Sequence, residues 1–248
     1  PRLQSRTRTE TLPAAIPILR IGTARRSDAA VLVAAAALME MRATHVLVPG
    51  QGGLRAARED DGDASAALLA AFAPVWTGAP AGTLVRAAAE AGAKRAILLS
   101  DTPATGARLS LLAVSAVPGL GNGLARPAGP LHAPPERLFA SADATVLLGE
   151  PDARAQLVER FPGLPRPLAG EVAPLPTGMD WAGMRAIAFG SGDMPRHLFA
   201  ALRGLGADVR RAISLDAEGR MSRKLLSRLE REAALTGAQL VTTERDVV

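Results

Sequence analysis

Short apolar stretches that alternate with helix-forming stretches most constrain what this chain can fold into. Residues 16–21 are apolar and β-branched, as in a buried strand, and residues 29–41 are Ala-rich helix formers. Residues 44–48 and 95–100 read as further buried strands. The first is followed by a loop and a helix, and the second by another apolar strand candidate over residues 109–117. This alternation predicts an α/β fold with a mainly parallel sheet covered by helices.

A proline-rich stretch, residues 161–180, has no clear periodicity and divides this pattern. Strands near residues 184–189, 207–213 and 238–243 then alternate with helices again. We therefore expect a larger α/β lobe over residues 1–170 and a smaller α/β lobe over residues 171–248.

Composition excludes several classes of chemistry. The chain has no Cys, which rules out disulfides and thiolate sites, and its 3 His are isolated, which argues against a His-based zinc site. The formal charge of +5 suits an anionic ligand, an anionic membrane surface or simply a solvated surface. Nucleic acid is not an expected partner, because aromatic residues for base stacking make up only 3% of the chain.

The junction after the first strand resembles a phosphate-binding loop in part. We expect Gly22 to end the strand at the point where G-x-x-x-x-G-K-[ST] loops begin. Ala24 and Arg25 stand where glycines are needed for a bare backbone, Arg26 stands for the lysine, and Ser27 keeps the hydroxyl. The position therefore fits a phosphate loop, while half of the chemistry is missing.

Asp101 is the second candidate. It comes directly after the predicted strand 95–100, where a Walker B carboxylate would hold Mg²⁺. A carboxylate that caps a turn is an equally good interpretation of the position alone.

Three stretches carry a resemblance to a known family. Residues 119–134 read GLGNGLARPAGPLHAP, residues 188–199 read AFGSGDMPRHLF with LRGLGA at 202–207, and residues 237–246 read GAQLVTTERD. They resemble, in order, the segments GNG…LPAGPLREP, AFAGIGRPEKFF…LRALGA and LVTTEKD of the tetraacyldisaccharide 4'-kinases, the P-loop kinases of lipid A synthesis.

The resemblance implies a P-loop-kinase-like first lobe that uses ATP and Mg²⁺. The phosphate loop GGTGKT of the family falls on residues 22–27, which makes Gly22, Arg25, Arg26 and Ser27 the implied cofactor-binding residues. The VGDE motif falls near residues 62–65, so Asp63 corresponds to the implied base for the sugar hydroxyl.

Two further motifs are incompletely kept. The DDGFQ motif falls on residues 100–104 and keeps one carboxylate, Asp101. The resemblance implies that Asp101 and Ser27 bind the metal and that Asp101 is also a catalytic residue. The PDHH motif falls on residues 215–218, where both histidines are absent.

The segment 119–134 supplies candidate substrate-binding residues, namely Asn122, Arg126 and His132. For His132 the competing interpretation is packing within the loop. For Asn122 it is a turn residue in the left-handed conformation.

The resemblance implies an ATP-dependent kinase for the 4' position of a tetraacyldisaccharide 1-phosphate lipid A precursor. The altered loop and lost histidines predict weakened or absent activity, and the alternative is a non-catalytic binding or regulatory protein on the same scaffold. The implied location is cytoplasmic, with peripheral attachment at the inner face of the bacterial inner membrane as a further expectation.

Overall fold

An eight-stranded sheet organises the first of the two units into which the chain divides, Pro1–Gly170 and Glu171–Val248. The computed structural model describes residues 9–25, 29–57, 64–173, 178–191, 194–215 and 222–243. The strands of the first unit are β1 (Glu10–Thr11), β2 (Ile18–Thr23), β3 (Thr44–Val48), β4 (Arg55–Ala56), β5 (Val75–Thr77), β6 (Arg95–Leu99), β7 (Ala104–Thr105), β8 (Leu109–Ser115), β9 (Ala144–Leu148) and β10 (Pro167–Gly170).

The large sheet has the order β10-β9-β8-β2-β6-β3-β5-β4, while β1 and β7 form a separate parallel pair. All neighbouring strands of the large sheet are parallel except β4 and β5. The apolar strands β2 and β6 occupy the two central positions, where both faces of the sheet are covered. The prediction of an α/β fold with a mainly parallel sheet is confirmed.

The helices of the first unit connect successive strands. They are α1 (Ala29–Glu40), α2 (Ala64–Ala70), α3 (Ala81–Glu90), α4 (Pro135–Ala140) and α5 (Pro151–Arg160). Helix α1 packs on β2 and β8 and also touches α2. Its small side chains permit this close approach, and Ala30 and Ala34 are buried against the sheet.

Two hydrophobic clusters lie beside the strands. The cluster that we call the α3 cluster includes Leu12, Ile18, Leu84, Val85 and Leu98. The cluster that we call the loop cluster includes Ala24, Leu112, Leu120, Leu131, Leu138, Leu147 and Leu157.

The second unit is a smaller α/β layer. Its elements are β11 (Arg185–Ser191), α6 (Met194–Gly204), β12 (Asp208–Leu215), α7 (Arg223–Thr236) and β13 (Gln239–Val241), and the strands have the parallel order β12-β11-β13. The Oγ of Ser222 accepts a hydrogen bond of 3.2 Å from the Leu225 amide, which caps the start of α7.

One local expectation was wrong. Gly22 does not end the first strand, because β2 continues through Gly22 and Thr23, which pair with Leu112 and Ala113 of β8. The stretch 161–180, which shows no clear periodicity in the sequence, contains the short strand β10, which pairs with β9.

Candidate functional site

Gly22 lies at the junction that the sequence assigned to a phosphate loop. A side chain at this position would place its Cβ 2.8 Å from the terminal Nη2 of Arg20 and 2.8 Å from the carbonyl oxygen of Ser100. The missing side chain of Gly22 therefore gives room to a buried guanidinium and to the end of β6. In the described part of the chain, this glycine is a packing residue within a strand.

The chain leaves β2 at Ala24 and is held there by a second segment. The Ala24 carbonyl accepts a hydrogen bond of 2.9 Å from the His132 amide, and the Ala24 side chain is buried in the loop cluster. Arg25 is half-buried, and its Nε has no hydrogen-bond partner in the structure. Arg26 and Ser27 lie outside the described residues.

This geometry does not fit a phosphate cradle over the described residues 22–25. Such a cradle needs backbone N–H groups that are free to face the phosphate. Here Gly22 is part of the sheet, Ala24 carries a packed side chain, and the Thr23 N–H already donates a hydrogen bond of 2.7 Å to Oδ1 of Asp101.

Asp101 stands at the centre of the candidate site. Its Oδ1 accepts hydrogen bonds from the amide and the hydroxyl of Thr23, at 2.7 and 2.8 Å. Its Oδ2 lies 3.1 Å from Nε2 of His132, in a contact that is off the direction of a well-aligned hydrogen bond. Burial raises the pKa of Asp101, but the interactions with His132 and Thr23 outweigh it and hold the pKa below its usual value.

Arg20 supplies a buried positive charge beneath Asp101. It is 2% exposed, its Nε donates to the Thr102 carbonyl at 2.9 Å, and Nη1 donates to the Ser141 carbonyl at 3.1 Å. Burial lowers the pKa of Arg20, and the charge of Asp101 partly opposes that shift. A charged residue inside the apolar run of residues 18–21 was the sequence signal that could have identified it.

A cavity of about 600 Å³ opens beside these residues. Its wall includes Asp101, Thr105, His132, Arg137, Leu138 and Ser141. We call this cavity the Asp101 pocket, and all of its lining residues belong to the first unit. Its size falls within the range of about 300–1,000 Å³ that is common for small-molecule sites.

The structure brings together only some of the residues predicted from sequence. Asp101 and His132 meet, and the loop 119–134 reaches the carboxyl end of β2 through the hydrogen bond from the His132 amide to the Ala24 carbonyl. Asp63 lies outside the described residues, as do residues 216–218 of the segment aligned with PDHH. Thr23 and Arg137 were not predicted, because neither residue type stands out in its local sequence.

Asn122 and Arg126 are exposed and do not line the Asp101 pocket. The Asn122 side chain closes a turn, because its Nδ2 donates to the Ala128 carbonyl at 3.0 Å and its Oδ1 accepts from the Leu124 amide at 3.1 Å. Of the two interpretations of Asn122, the structure fits the turn residue, although not in the left-handed conformation, since the neighbours Gly121 and Gly123 have positive φ and Asn122 does not.

The metal ligands implied for Mg²⁺ were Asp101 and Ser27, of which the structure describes only Asp101. Within the described ranges, no three His, Asp or Glu side chains converge as a metal site would require. Both Asp101 oxygens already have protein partners. Nor does any helix in those ranges have the length and apolar character needed to cross a membrane.

The parallel sheet, with a carboxylate after the strand next to β2, places the chain in the α/β class of P-loop kinase folds. LpxK from Aquifex aeolicus, solved in complex with ATP, superposes with a TM-score of 0.58 at 17% identity, covering 96% of this chain and 80% of that one. A family model described as tetraacyldisaccharide-1-P 4'-kinase matches residues 40–248. The chain belongs to the tetraacyldisaccharide 4'-kinase family.

Individual relatives agree with this assignment. A tetraacyldisaccharide 4'-kinase of Dinoroseobacter shibae is 41% identical over 191 residues, which cover 73% of this chain and 55% of the relative. The kinase of Jannaschia sp. is 38% identical, with 74% and 57% covered. That of Paramagnetospirillum magneticum is 32% identical, with 97% and 79% covered. The chain thus spans little more than half the length of the first two relatives, and the family match starts beyond residues 22–27.

Proposed function

We propose that the chain is a divergent tetraacyldisaccharide 4'-kinase whose phosphoryl transfer is weakened or lost. The observation that carries this proposal is the junction after β2, where Gly22 makes room for Arg20 and the Thr23 amide binds Asp101. The Thr23 amide, which lies in the segment aligned with the phosphate loop, and Asp101, the implied metal ligand, are here engaged with one another.

Phosphoryl transfer depends on several parts acting together, namely a phosphate cradle, a metal site and a positioned base. Arg26 stands where the family has a lysine, and its planar guanidinium group does not substitute for the compact ammonium group of lysine. Ser100 in place of the first carboxylate of DDGFQ leaves Asp101 alone for Mg²⁺. Because each loss of about 1.4 kcal/mol in transition-state stabilisation is tenfold in rate, a few such losses suffice to silence the reaction.

The second candidate function is a non-catalytic binding or regulatory protein on the kinase scaffold. The Asp101 pocket favours it, since a cavity of about 600 Å³ persists in the first unit beside the altered junction. Such a protein would bind the lipid A disaccharide precursor without transferring phosphate to it. The net charge of +5 would support peripheral contact with an anionic membrane surface at the cytoplasmic face of the inner membrane.

Calorimetric titration with Mg·ATP tests the proposal, with the Dinoroseobacter shibae relative as the positive control. We expect absent or millimolar binding to this chain. Micromolar binding, together with turnover of a tetraacyldisaccharide 1-phosphate that disappears in Asp63→Ala, would overturn it. A phosphoryl-transfer assay with the precursor in vesicles then separates the two candidate functions, because a weakened kinase transfers phosphate slowly, whereas the binding protein binds the vesicles without any turnover.

A further inference from the structure

Helix α7 turns an apolar face toward the sheet of the second unit and a basic face toward solvent. Leu229 and Ala233 are buried in a cluster with Ile187 and Phe189 of β11. On the opposite side of the helix, exposed side chains recur about one turn apart and therefore form a single row. We call these residues the α7 row: Lys224, Arg228, Arg231 and Leu235.

The charges of the α7 row work against the stability of their own helix. Positive charge is unfavourable in the first turn of a helix, where the dipole is positive, yet Arg223 and Lys224 occupy that turn of α7 and no acidic residue does. Lys224 and Arg228 are four positions apart, and Arg228 and Arg231 are three apart, which are the spacings at which like charges repel on a helix. Residues that break local rules in this way are expected to serve function rather than the fold.

The carboxylates of α7 leave the row positively charged. Glu232 lies four positions after Arg228, but its carboxylate contacts the Arg211 guanidinium of β12. Glu230 has no basic residue three or four positions before or after it. No carboxylate of a described residue forms an ion pair with any cation of the α7 row. The three positive charges of the row are therefore available to a partner.

The row is also narrow, which distinguishes between kinds of anionic partner. At about 3.6 residues per turn, Glu230 lies on one side of the row and Glu232 on the other. A broad anionic surface, such as a bilayer, would meet these carboxylates together with the row, and they would repel it. A second helix would contact only the row, over a length of about 16 Å from Lys224 to Leu235. Leu235 is 81% exposed and offers an apolar contact at the end of the row.

We propose that the α7 row docks an acidic α-helix of a partner protein. Carboxylates one turn apart on that helix pair with Lys224, Arg228 and Arg231, and an apolar residue beyond them covers Leu235. Charge pairs of this kind between helices set the choice of partner and its register more than they set affinity. The row lies within the second unit and includes no residue of the Asp101 pocket, so the proposal does not depend on whether the chain transfers phosphate.

A heteronuclear NMR titration of the isotope-labelled full chain at low salt tests the proposal. The probe is a helix-forming Ala/Gln peptide with three glutamates one turn apart and a leucine one turn further on, and the control peptide has the same composition in scrambled order. We expect the ordered peptide to shift amide resonances of α7 saturably with a Kd of about 1 mM or lower, and the scrambled peptide to bind at least about fivefold more weakly. Equal binding of the two peptides, or no binding of the ordered one, would overturn the docking of a helix.

Substitution of the three cations separates a role in binding from a role in stability. The triple variant Lys224→Gln/Arg228→Gln/Arg231→Gln should weaken binding of the ordered peptide about tenfold or more. Its midpoint of thermal unfolding should stay unchanged or rise, because like-charge pairs and a first-turn cation are removed. The matched control is Arg196→Gln/Arg203→Gln, two exposed arginines of α6 on the other face of the same sheet, which should leave the Kd unchanged. A lowered midpoint in the triple variant, or an equal loss of binding in the control, would overturn the role given to the row.

Phosphatidylglycerol vesicles test a bilayer as the alternative partner, in co-sedimentation at the same salt concentration. We expect the triple substitution to leave the vesicle-bound fraction of the chain unchanged, because the carboxylates beside the row oppose a broad anionic surface. A bound fraction that falls about threefold or more with the triple substitution would assign the row to an anionic bilayer instead and overturn the proposal.

Discussion

Gly22→Ala tests whether Gly22 serves packing or phosphate binding. The new Cβ would lie 2.8 Å from both Arg20 Nη2 and the Ser100 carbonyl oxygen, roughly 0.7 Å short of the about 3.5 Å at which heavy atoms pack comfortably. Neither neighbour can move freely. Displacing Arg20 breaks its bonds to the Thr102 and Ser141 carbonyls, and displacing Ser100 disturbs the bond of 3.1 Å from its amide to the Ile21 carbonyl.

Overpacking of this kind costs about 1–3 kcal/mol. We therefore expect Gly22→Ala to lower the midpoint of thermal unfolding by roughly 2–10 °C, measured by circular dichroism without any ligand. Gly82→Ala is the matched control in the same unit, because its Cβ would meet only a Pro13 carbon at 3.7 Å. Adding Arg20→Met should recover part of the loss, since it removes one of the two overlaps.

An unchanged unfolding temperature in Gly22→Ala would refute this reasoning. If the same variant lost Mg·ATP binding while its stability stayed that of the wild type, Gly22 would have to be reassigned to a phosphate cradle. A strictly additive double substitution with Arg20→Met would show that the guanidinium is not what limits space at this position.

Three further predictions concern other contacts. The pKa of Asp101 is held below its ordinary 3.8, so the stability that the Asp101 carboxylate contributes is present above pH 3.8 and lost as the pH falls below it. Asp101→Asn should therefore flatten the acid side of the curve of unfolding free energy against pH. An unchanged curve would contradict this. Burial lowers the pKa of His45 from 6.5, and the Nδ1 of His45 accepts a hydrogen bond of 3.1 Å from Nε1 of Trp76. The stability that neutral His45 contributes through this bond is therefore lost as the pH falls through a midpoint below 6.5. Trp76 fluorescence should report this transition, and His45→Gln should remove it. Ser222→Ala deletes the cap of α7 and should destabilise the second unit by about 1 kcal/mol in denaturant titration, whereas Ser227→Ala on the exposed face of α7 should not.

Local sequence was sufficient for the kind and order of the main elements. The strand predicted at residues 44–48 has those bounds in the structure, and the helix predicted at 29–41 ends one residue earlier. The preference of an apolar run for a strand, or of helix formers for a helix, depends mainly on neighbouring residues in the sequence. These elements can therefore be predicted without knowledge of the rest of the chain. The family resemblance could be recognised for a similar reason, since it rests on short stretches of sequence that occur in the same order as in the family, and the family match confirms it.

Local sequence did not predict the strand end and the edge strand that are fixed by hydrogen bonds to a distant strand. The first strand was expected to stop at Gly22, yet pairing with β8 carries it to Thr23. Strand β10 was missed because it is a mostly exposed edge strand without alternating burial, and its hydrogen bonds come from β9. In both places, backbone pairing with a distant segment outweighed the propensity of the residues themselves.

The sequence by itself determined an α/β chain of this family with a single carboxylate after a central strand, and it predicted an altered phosphate loop after the first strand. Only the tertiary structure decided what those residues do to one another. Asp101 meets Thr23 across 78 positions, and Arg20 meets Ser141 across 121. The physical reason is that the chemistry of a carboxylate or guanidinium is set by its donors, acceptors and solvent access, and these come from segments distant in sequence that the folded sheet brings together at the ends of β2 and β6.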